Sequence, residues 1–323
     1  MLQTRTAVIV GSRGQDGTLL SRKLIAQGVR VIGIGRCGAT LDGVDLEKGV
    51  NITSAVSVIR FMEEWSPSEI YYLAAYHGSS EDPIGHNSVD ELFRRSQEIH
   101  VTGLVNFLAA ISKVSQGTKL FYAGSSLVFG RQHGQVQDEF TPYDPSGTYG
   151  ITKAQGLWMC REYRDNHGIP VFTGILYNHE SYLRPVTFLT AKVIQSAIRI
   201  AKGSQERLKV GNLAAQVDWG LAIDYVAAFE AVLHHGCPGD YIIATGVKHS
   251  VEEFVSSVFG YFQLDWRKHV DVNSGILVRQ GSSGQANPAK LARDTGIKLA
   301  RPFQELVNAL VRDHIALLES SSS

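Results

Sequence analysis

The chain has 323 residues, is 44% hydrophobic and carries 31 basic against 31 acidic side chains, for a formal net charge of zero. That length holds one large α/β domain, or a nucleotide-binding domain with a smaller lobe, and the neutral balance gives no electrostatic ground for a nucleic-acid or membrane partner. Cys37, Cys160 and Cys237 are too few and too scattered for a disulfide framework or a metal site; they fit a reducing compartment, and we expect a cytoplasmic protein without metal. Nothing ahead of the first strand reads as a signal peptide, and no apolar run approaches the roughly 18 residues of a membrane span.

Thr6–Val10 is a short, β-branched apolar run that predicts a strand. A glycine-rich turn follows; then Leu19, Leu20, Leu24 and Ile25 predict a helix over 18–27, and 29–34 a second strand. The alternation continues with helix 58–65, strand 69–73, helix 96–112, strand 119–122, helix 148–166 and strand 171–176. Continuous apolar strands alternating with helices imply a parallel sheet covered on both faces, a doubly wound (Rossmann) α/β fold. After about residue 178 the texture changes: 188–202 predicts a long helix, 211–224 reads as turn-rich, and 277–288 is polar and rich in glycine and serine. We expect a dinucleotide-binding domain over 1–178, returning at about 212–248, and a smaller interleaved substrate lobe over 179–323, with 320–323 a frayed tail.

Gly11, Gly14 and Gly17 sit between the first strand and the first helix, in the run Gly11-Ser12-Arg13-Gly14-Gln15-Asp16-Gly17. A tight turn, close backbone approach to a pyrophosphate and the free N–H groups of a helix start all need such spacing there. The strand-before, helix-after context makes it a dinucleotide signal rather than a packing turn, with Arg13, Gln15 and Asp16 beside the cofactor. The second strand ends without a carboxylate for a ribose 2′-hydroxyl; Arg36 stands there instead, suited to a 2′-phosphate. We therefore expect NADP, with NAD the alternative.

Tyr149 and Lys153 are spaced i, i+4 on a helix face. A tyrosine, with a pKa near 10, is a poor base until a neighbouring ammonium favours its phenolate. The pair can pass a proton to or from an alcohol oxygen. Ser125, just past an apolar strand, can hydrogen-bond the reacting oxygen. His77 and Tyr76 follow Leu73-Ala74-Ala75, where a strand end should approach the nicotinamide. His100 and His133 read as surface or packing residues, Trp219 as core, and Asp218 and Asp224 as structural carboxylates.

With these residues in place the chain resembles the extended short-chain dehydrogenases/reductases (NAD-dependent epimerases/dehydratases), and within them the GDP-mannose 4,6-dehydratase group. The likeness runs from about residue 6 to 315 and is carried by Gly14-Gln15-Asp16-Gly17, Leu73-Ala74-Ala75, Tyr149-x-x-x-Lys153, Asn178-His179-Glu180-Ser181, Gly211-Asn212-Leu213, Asp218-Trp219-Gly220 and Ile243-Ala244-Thr245-Gly246-Val247. The resemblance implies that Ser125, Tyr149 and Lys153 are catalytic. It implies that Asn51, Ile52, Leu73, Ala74, Ala75, Lys153, His179 and Arg184 join the glycine turn at the cofactor. Ser126, Asn178, Lys192, Asn212 and Arg279, with His77, are the implied substrate contacts, and a homodimer or homotetramer the implied assembly.

The chain departs from that group where its chemistry is most demanding. The group has a glutamate two residues after the Ser/Thr, to remove the C5 proton; here the position is Leu127, which cannot accept a proton. Val217, Cys37 and Asn51 replace an arginine, a basic residue and an aspartate of the group, and the segment 81–95 is longer. The reading is therefore an NADP-dependent oxidoreductase at C4 of a nucleotide-activated sugar, GDP-linked, of the 4-keto reductase or epimerase type. The alternative is a GDP-mannose 4,6-dehydratase (a lyase) using another base, Glu139 or Glu180. A cofactor-binding protein without turnover is opposed by the intact Tyr149 and Lys153 pair.

Overall fold

The computed structural model describes residues 5–35, 43–47, 49–76, 88–130, 135–273 and 284–320. The first half runs β1 (Thr6–Val10), α1 (Gln15–Ala26), β2 (Arg30–Ile34), β3 (Val44–Leu46), α2 (Ala55–Trp65), β4 (Glu69–Tyr72), α3 (Val89–Gln97), α4 (Gly103–Val114), β5 (Lys119–Ala123), β6 (Val136–Gln137) and α5 (Thr148–His167). Then come β7 (Val171–Leu176), β8 (Asn178–Glu180), α6 (Leu189–Ala201), β9 (Leu208–Val210), β10 (Gln216–Leu221), α7 (Ala222–His235) and β11 (Gly239–Ile243). The chain closes with β12 (Lys248–Ser250), α8 (Val251–Tyr261), β13 (Val270–Val272), β14 (Gln285–Ala286), α9 (Ala289–Thr295) and α10 (Phe303–Ser320).

Seven strands form one parallel sheet in the order β11-β7-β5-β4-β1-β2-β3. The order reverses beside β1, so the strand ends on either side of it diverge and leave a crevice, the usual ligand position in such sheets. One face packs Val58 and Phe61 of α2, Leu104 and Phe107 of α4 and Leu157 of α5 against Val8, Ile70 and Leu120. The opposite face takes Leu20 and Leu24 of α1 and Phe229 and Val232 of α7 against Ile9, Val31 and Phe121. Both faces being covered explains why the strands read as unbroken apolar runs rather than alternating ones. Each large side chain so buried contributes about 1.5–3 kcal/mol.

A third cluster holds Ile194 of α6, Phe254 of α8 and Leu310 of α10 around Trp219. It is attached through a small sheet, β12-β10-β8, in which β10 pairs parallel to β8 and antiparallel to β12. A full capping box, Ser250 with Glu253, starts α8. After leaving the main sheet at β7 the chain therefore builds this cluster and comes back as α7 and β11. Among the described residues no helix is long and apolar enough to cross a membrane.

Two sequence readings need correction. The stretch 211–224 is not merely turns: Val217, Trp219 and Leu221 alternate along β10, and α7 begins at Ala222. The expected helix 96–112 is present but starts earlier and carries a widened turn. A cap at Ser88 starts α3 early, and at Glu98–Thr102 one turn is widened, with the Gly103 N–H reaching back five residues to the Glu98 carbonyl. Residues 81–87 and the tail 321–323 lie outside the described residues.

Candidate active site

A cleft of about 1500 Å³ opens at the C-terminal ends of β1, β4, β5 and β7. Its floor is the turn from β1 into α1. There the Gly11 N–H bonds the Ile34 carbonyl at 2.7 Å and the Gly14 N–H the Gly11 carbonyl at 3.0 Å. Gly11 has φ +93°, and a Cβ on it would lie 2.7 Å from the Ala74 nitrogen; one on Gly17 would collide with the Gly11 carbonyl oxygen. These positions admit glycine alone, and the turn leaves backbone N–H groups and the start of α1 facing the cleft.

The turn is stitched to β8. Gln15 donates to the His179 carbonyl (3.1 Å) and accepts from Ser181 Oγ (2.8 Å). His179 Nε2 meets Asp16 at 3.0 and 3.1 Å, and its Nδ1 meets the Tyr177 carbonyl at 2.7 Å. Both ring nitrogens face acceptors, so the geometry suits the imidazolium. Burial opposes that charge, but the Asp16 carboxylate outweighs burial and raises the His179 pKa above its usual value. For Asp16, too, burial works against ionisation, and His179 reverses it, leaving the carboxyl below its ordinary range. The His179 ring stacks on Tyr225, centroids 4.5 Å apart.

Ser125 follows β5, and its Oγ accepts the Leu127 N–H at 3.2 Å, which leaves the hydroxyl proton available for another acceptor. Tyr149 and Lys153 lie in the first turns of α5 and line the cleft with Ser125. Lys153 is 1% exposed; its Nζ donates to the Ala123 carbonyl at 2.8 Å and stands 5.7 Å from the Tyr149 ring centroid. Burial pushes its pKa down to about 7, against a smaller upward pull from Asp16. An ammonium this close to Tyr149 lowers the energy of its phenolate, as proton transfer at a carbinol oxygen requires.

Every carboxylate that lines the cleft among the described residues is engaged. Asp16 holds His179. Glu180, 4% exposed, takes Arg184 Nε at 3.1 Å and Thr190 Oγ1 at 2.5 Å. Asp218 accepts the N–H groups of Thr245 (3.0 Å) and Gly246 (2.8 Å) and the Thr245 hydroxyl (2.6 Å), while burial raises its pKa. Glu139 is outside the cleft lining; it accepts the Ile242 N–H of β11 at 2.9 Å, and burial raises it as well. Leu127 itself lines the cleft next to Ser126.

The structure brings most of the sequence candidates together. The glycine turn with Arg13, Gln15 and Asp16 lines the cleft, as do Asn51, Ile52, Leu73, Ala74, Ala75, Ser125, Ser126, Tyr149, Lys153, Asn178, His179, Arg184 and Asn212. The amide oxygens of Asn51 and Asn212 are each taken by a local turn, to Thr53 and Ala214. Lys192, in the first turn of α6 after the cleft-lining Leu189 and Thr190, is not itself among the residues that line the cleft. Arg36, His77, His133 and Arg279 lie outside the described residues. Asp224 pairs with Arg301 at the start of α7, and Trp219, 3% exposed, packs on Phe254. His100, read as a surface or packing residue, is fully buried, and its two ring nitrogens are paired with the Tyr76 N–H and Thr152 Oγ1, an arrangement that the sequence reading did not assign. Among the described residues no His, Cys, Asp and Glu cluster could hold a metal ion.

Residues 8–300 match the family model described as GDP-mannose 4,6 dehydratase. GDP-mannose 4,6 dehydratase 2 of Arabidopsis thaliana is 31% identical over 335 residues, covering 97% of this chain and 87% of the plant protein. In fold, the chain is similar to dTDP-glucose 4,6-dehydratase of Bacillus anthracis in complex with NAD (TM-score 0.82, 16% identity, 98% of each chain). It is also similar to RMD of Pseudomonas aeruginosa complexed with NADPH (TM-score 0.77, 19% identity, 97% of this chain and 100% of that one). With its glycine turn, its Ser125, Tyr149 and Lys153 and its parallel sheet, the chain belongs to the GDP-mannose 4,6-dehydratase family of nucleotide-sugar short-chain dehydrogenases/reductases, and it is an enzyme.

Proposed function

We propose that the enzyme is an NADP-dependent oxidoreductase that works at C4 of a GDP-linked sugar, as a 4-keto reductase or 4-epimerase. One observation carries the reading: Leu127 lines the cleft at the position where the family has its C5 base, and the three described carboxylates that line the same cleft are already bound to partners. Dehydration across C5 and C6 needs a free base; exchange of hydride at C4 does not.

The residues fit a nicotinamide dinucleotide. The glycine turn leaves no Cβ in the way of a pyrophosphate, and the α1 start offers it unpaired N–H groups. Arg13 lines the cleft near Gly35 at the end of β2, and with Arg36 it favours a 2′-phosphate over a bare ribose. When bound, the reduced nicotinamide supplies the hydride that C4 receives. Tyr149 gives its phenol proton to the C4 oxygen, Lys153 steadies the phenolate left behind, and Ser125 hydrogen-bonds the same oxygen as charge develops, keeping its own proton. In the oxidative direction the C4 hydroxyl proton returns to Tyr149. The same reading gives a cofactor domain over 1–178 that returns at about 212–248, a substrate lobe over 179–323, a homodimer or homotetramer, and a cytoplasmic location. The return of α7 and β11 to the main sheet supports the first of these.

The full-length family match favours a second reading, a 4,6-dehydratase with an unusual base. Purified protein given GDP-mannose and, separately, its 4-keto-6-deoxy derivative, each with NADP(H), separates the two. We expect the keto sugar to be reduced with NADPH falling one for one in a reductase, and GDP-mannose to be turned into its C4 epimer without net cofactor change in an epimerase. Conversion of GDP-mannose to the keto sugar without net cofactor change would sink the proposal.

A further inference from the structure

The widened turn at Glu98–Thr102 has no role in the mechanism above, yet the molecule is built around it. Such a turn exposes carbonyls that an ordinary helix would satisfy internally, and it is frequent at functional sites. Here two tyrosine hydroxyls from the sheet take them up: Tyr72 donates to the Ile99 carbonyl at 2.6 Å and Tyr122 to the His100 carbonyl at 3.4 Å. Gly156 of α5 makes room, since a Cβ on it would strike the Tyr122 hydroxyl.

The turn aims the imidazole of His100, 0% exposed, at the catalytic tyrosine. Its ring lies edge-to-face on Tyr149, with centroids 5.1 Å apart and planes at 84°. Nε2 receives the Tyr76 backbone N–H at 2.9 Å, so that nitrogen carries no proton. The proton is therefore on Nδ1, which donates to Thr152 Oγ1 at 2.8 Å. Thr152 in turn donates to the carbonyls of Thr148 and Tyr149, at 3.0 and 3.1 Å. One neutral tautomer thus ties the strand-end loop that lines the cleft at Leu73 to Tyr76 to the turn of α5 bearing Tyr149.

We propose that His100 is a positioning residue: it sets the Tyr149 ring against the Tyr76 loop, so that the proton donor and the loop lining the cleft share one fixed geometry. The proposal rests on Tyr149 being the proton donor. A buried leucine would fill the same space, but it would leave the Tyr76 N–H and the Thr152 hydroxyl without this partner and remove the edge-on imidazole from Tyr149.

The test uses the full chain and the 4-keto sugar assay, with four variants: His100→Leu, Thr152→Val, Thr152→Ser and Tyr149→Phe. Misplacing a reacting group by a fraction of an ångström to an ångström costs about 10- to 100-fold in rate. We expect a kcat loss of that order in His100→Leu with KM nearly unchanged, a smaller kcat loss in Thr152→Val, and wild-type behaviour in Thr152→Ser, each measured per folded molecule. Nitrogen-15 spectra of the wild type should show His100 protonated at Nδ1 only. The proposal is overturned by wild-type kcat in His100→Leu, by Thr152→Ser failing as Thr152→Val does, or by a proton on Nε2. If Tyr149→Phe keeps full activity, the assignment of Tyr149 falls; if it is inactive while His100→Leu is not, only this inference falls.

Discussion

Replacing Lys153 with methionine should abolish activity and yet make the folded protein more stable at pH 6. Burial brings the Lys153 ammonium from its ordinary 10.5 down to about 7. A folded pKa below the unfolded one means that the native state binds fewer protons between those two values. Native stability therefore rises with pH across that window: the penalty is fully present below pH 7 and gone above 10.5. At 1.36 kcal/mol per pH unit the penalty at pH 6 is about 5 kcal/mol. Methionine carries no such penalty but leaves the Ala123 carbonyl without its 2.8 Å donor, a loss of about 1–2 kcal/mol. The variant should thus be about 3 kcal/mol more stable at pH 6, with the advantage shrinking to nothing near about pH 9. Urea unfolding of both proteins at pH 6, 7.5 and 9 measures this directly. If the two stability curves run parallel in pH, Lys153 does not titrate differently on folding, and the account of its burial is wrong.

Three further outcomes follow from the site. Tyr149→Phe should fold normally and lose about 10²- to 10⁴-fold in kcat, the usual worth of a general acid; a loss under tenfold would remove Tyr149 from the mechanism. Asp16→Asn should cost about 3 kcal/mol at pH 6, where it strands a buried imidazolium. Because the folded His179 pKa is raised, that contribution is complete below 6.5 and disappears as pH climbs through the folded value, so thermal melts of variant and wild type should converge at alkaline pH. Wild-type enzyme turning over in deuterated water should leave C5 of the sugar unlabelled, whereas Leu127→Glu should begin to exchange it; label at C5 in the wild type would mean that another base is present.

The parallel sheet was readable because burial on both faces removes the polar alternation, and Thr6–Val10, 119–122 and 171–176 carry that signature. The glycine turn and the Tyr149 and Lys153 pair were readable because their spacing is itself the geometry: tight turn, then one helix face. What escaped was long-range. His100 reads as a lone histidine because its partners, Tyr76 and Thr152, are 24 and 52 residues away in the chain. The widened turn escaped because 98–102 keeps a helical texture, and only the hydroxyls of Tyr72 and Tyr122 reveal that its carbonyls are free. The strand β10 was legible in the alternation of Val217, Trp219 and Leu221 but was masked by the glycine and asparagine just before it.

Leu127 stands on the short turn after β5, and its side chain belongs to none of the three hydrophobic clusters that hold the molecule together. A position outside the packed core is free to drift: exchanging its side chain puts little of the folding free energy at risk. On the proposed reading, a lineage can pass between proton abstraction and simple hydride exchange by changing one loop residue on an unaltered scaffold, and the sheet and clamps beneath would retain no trace of the transition.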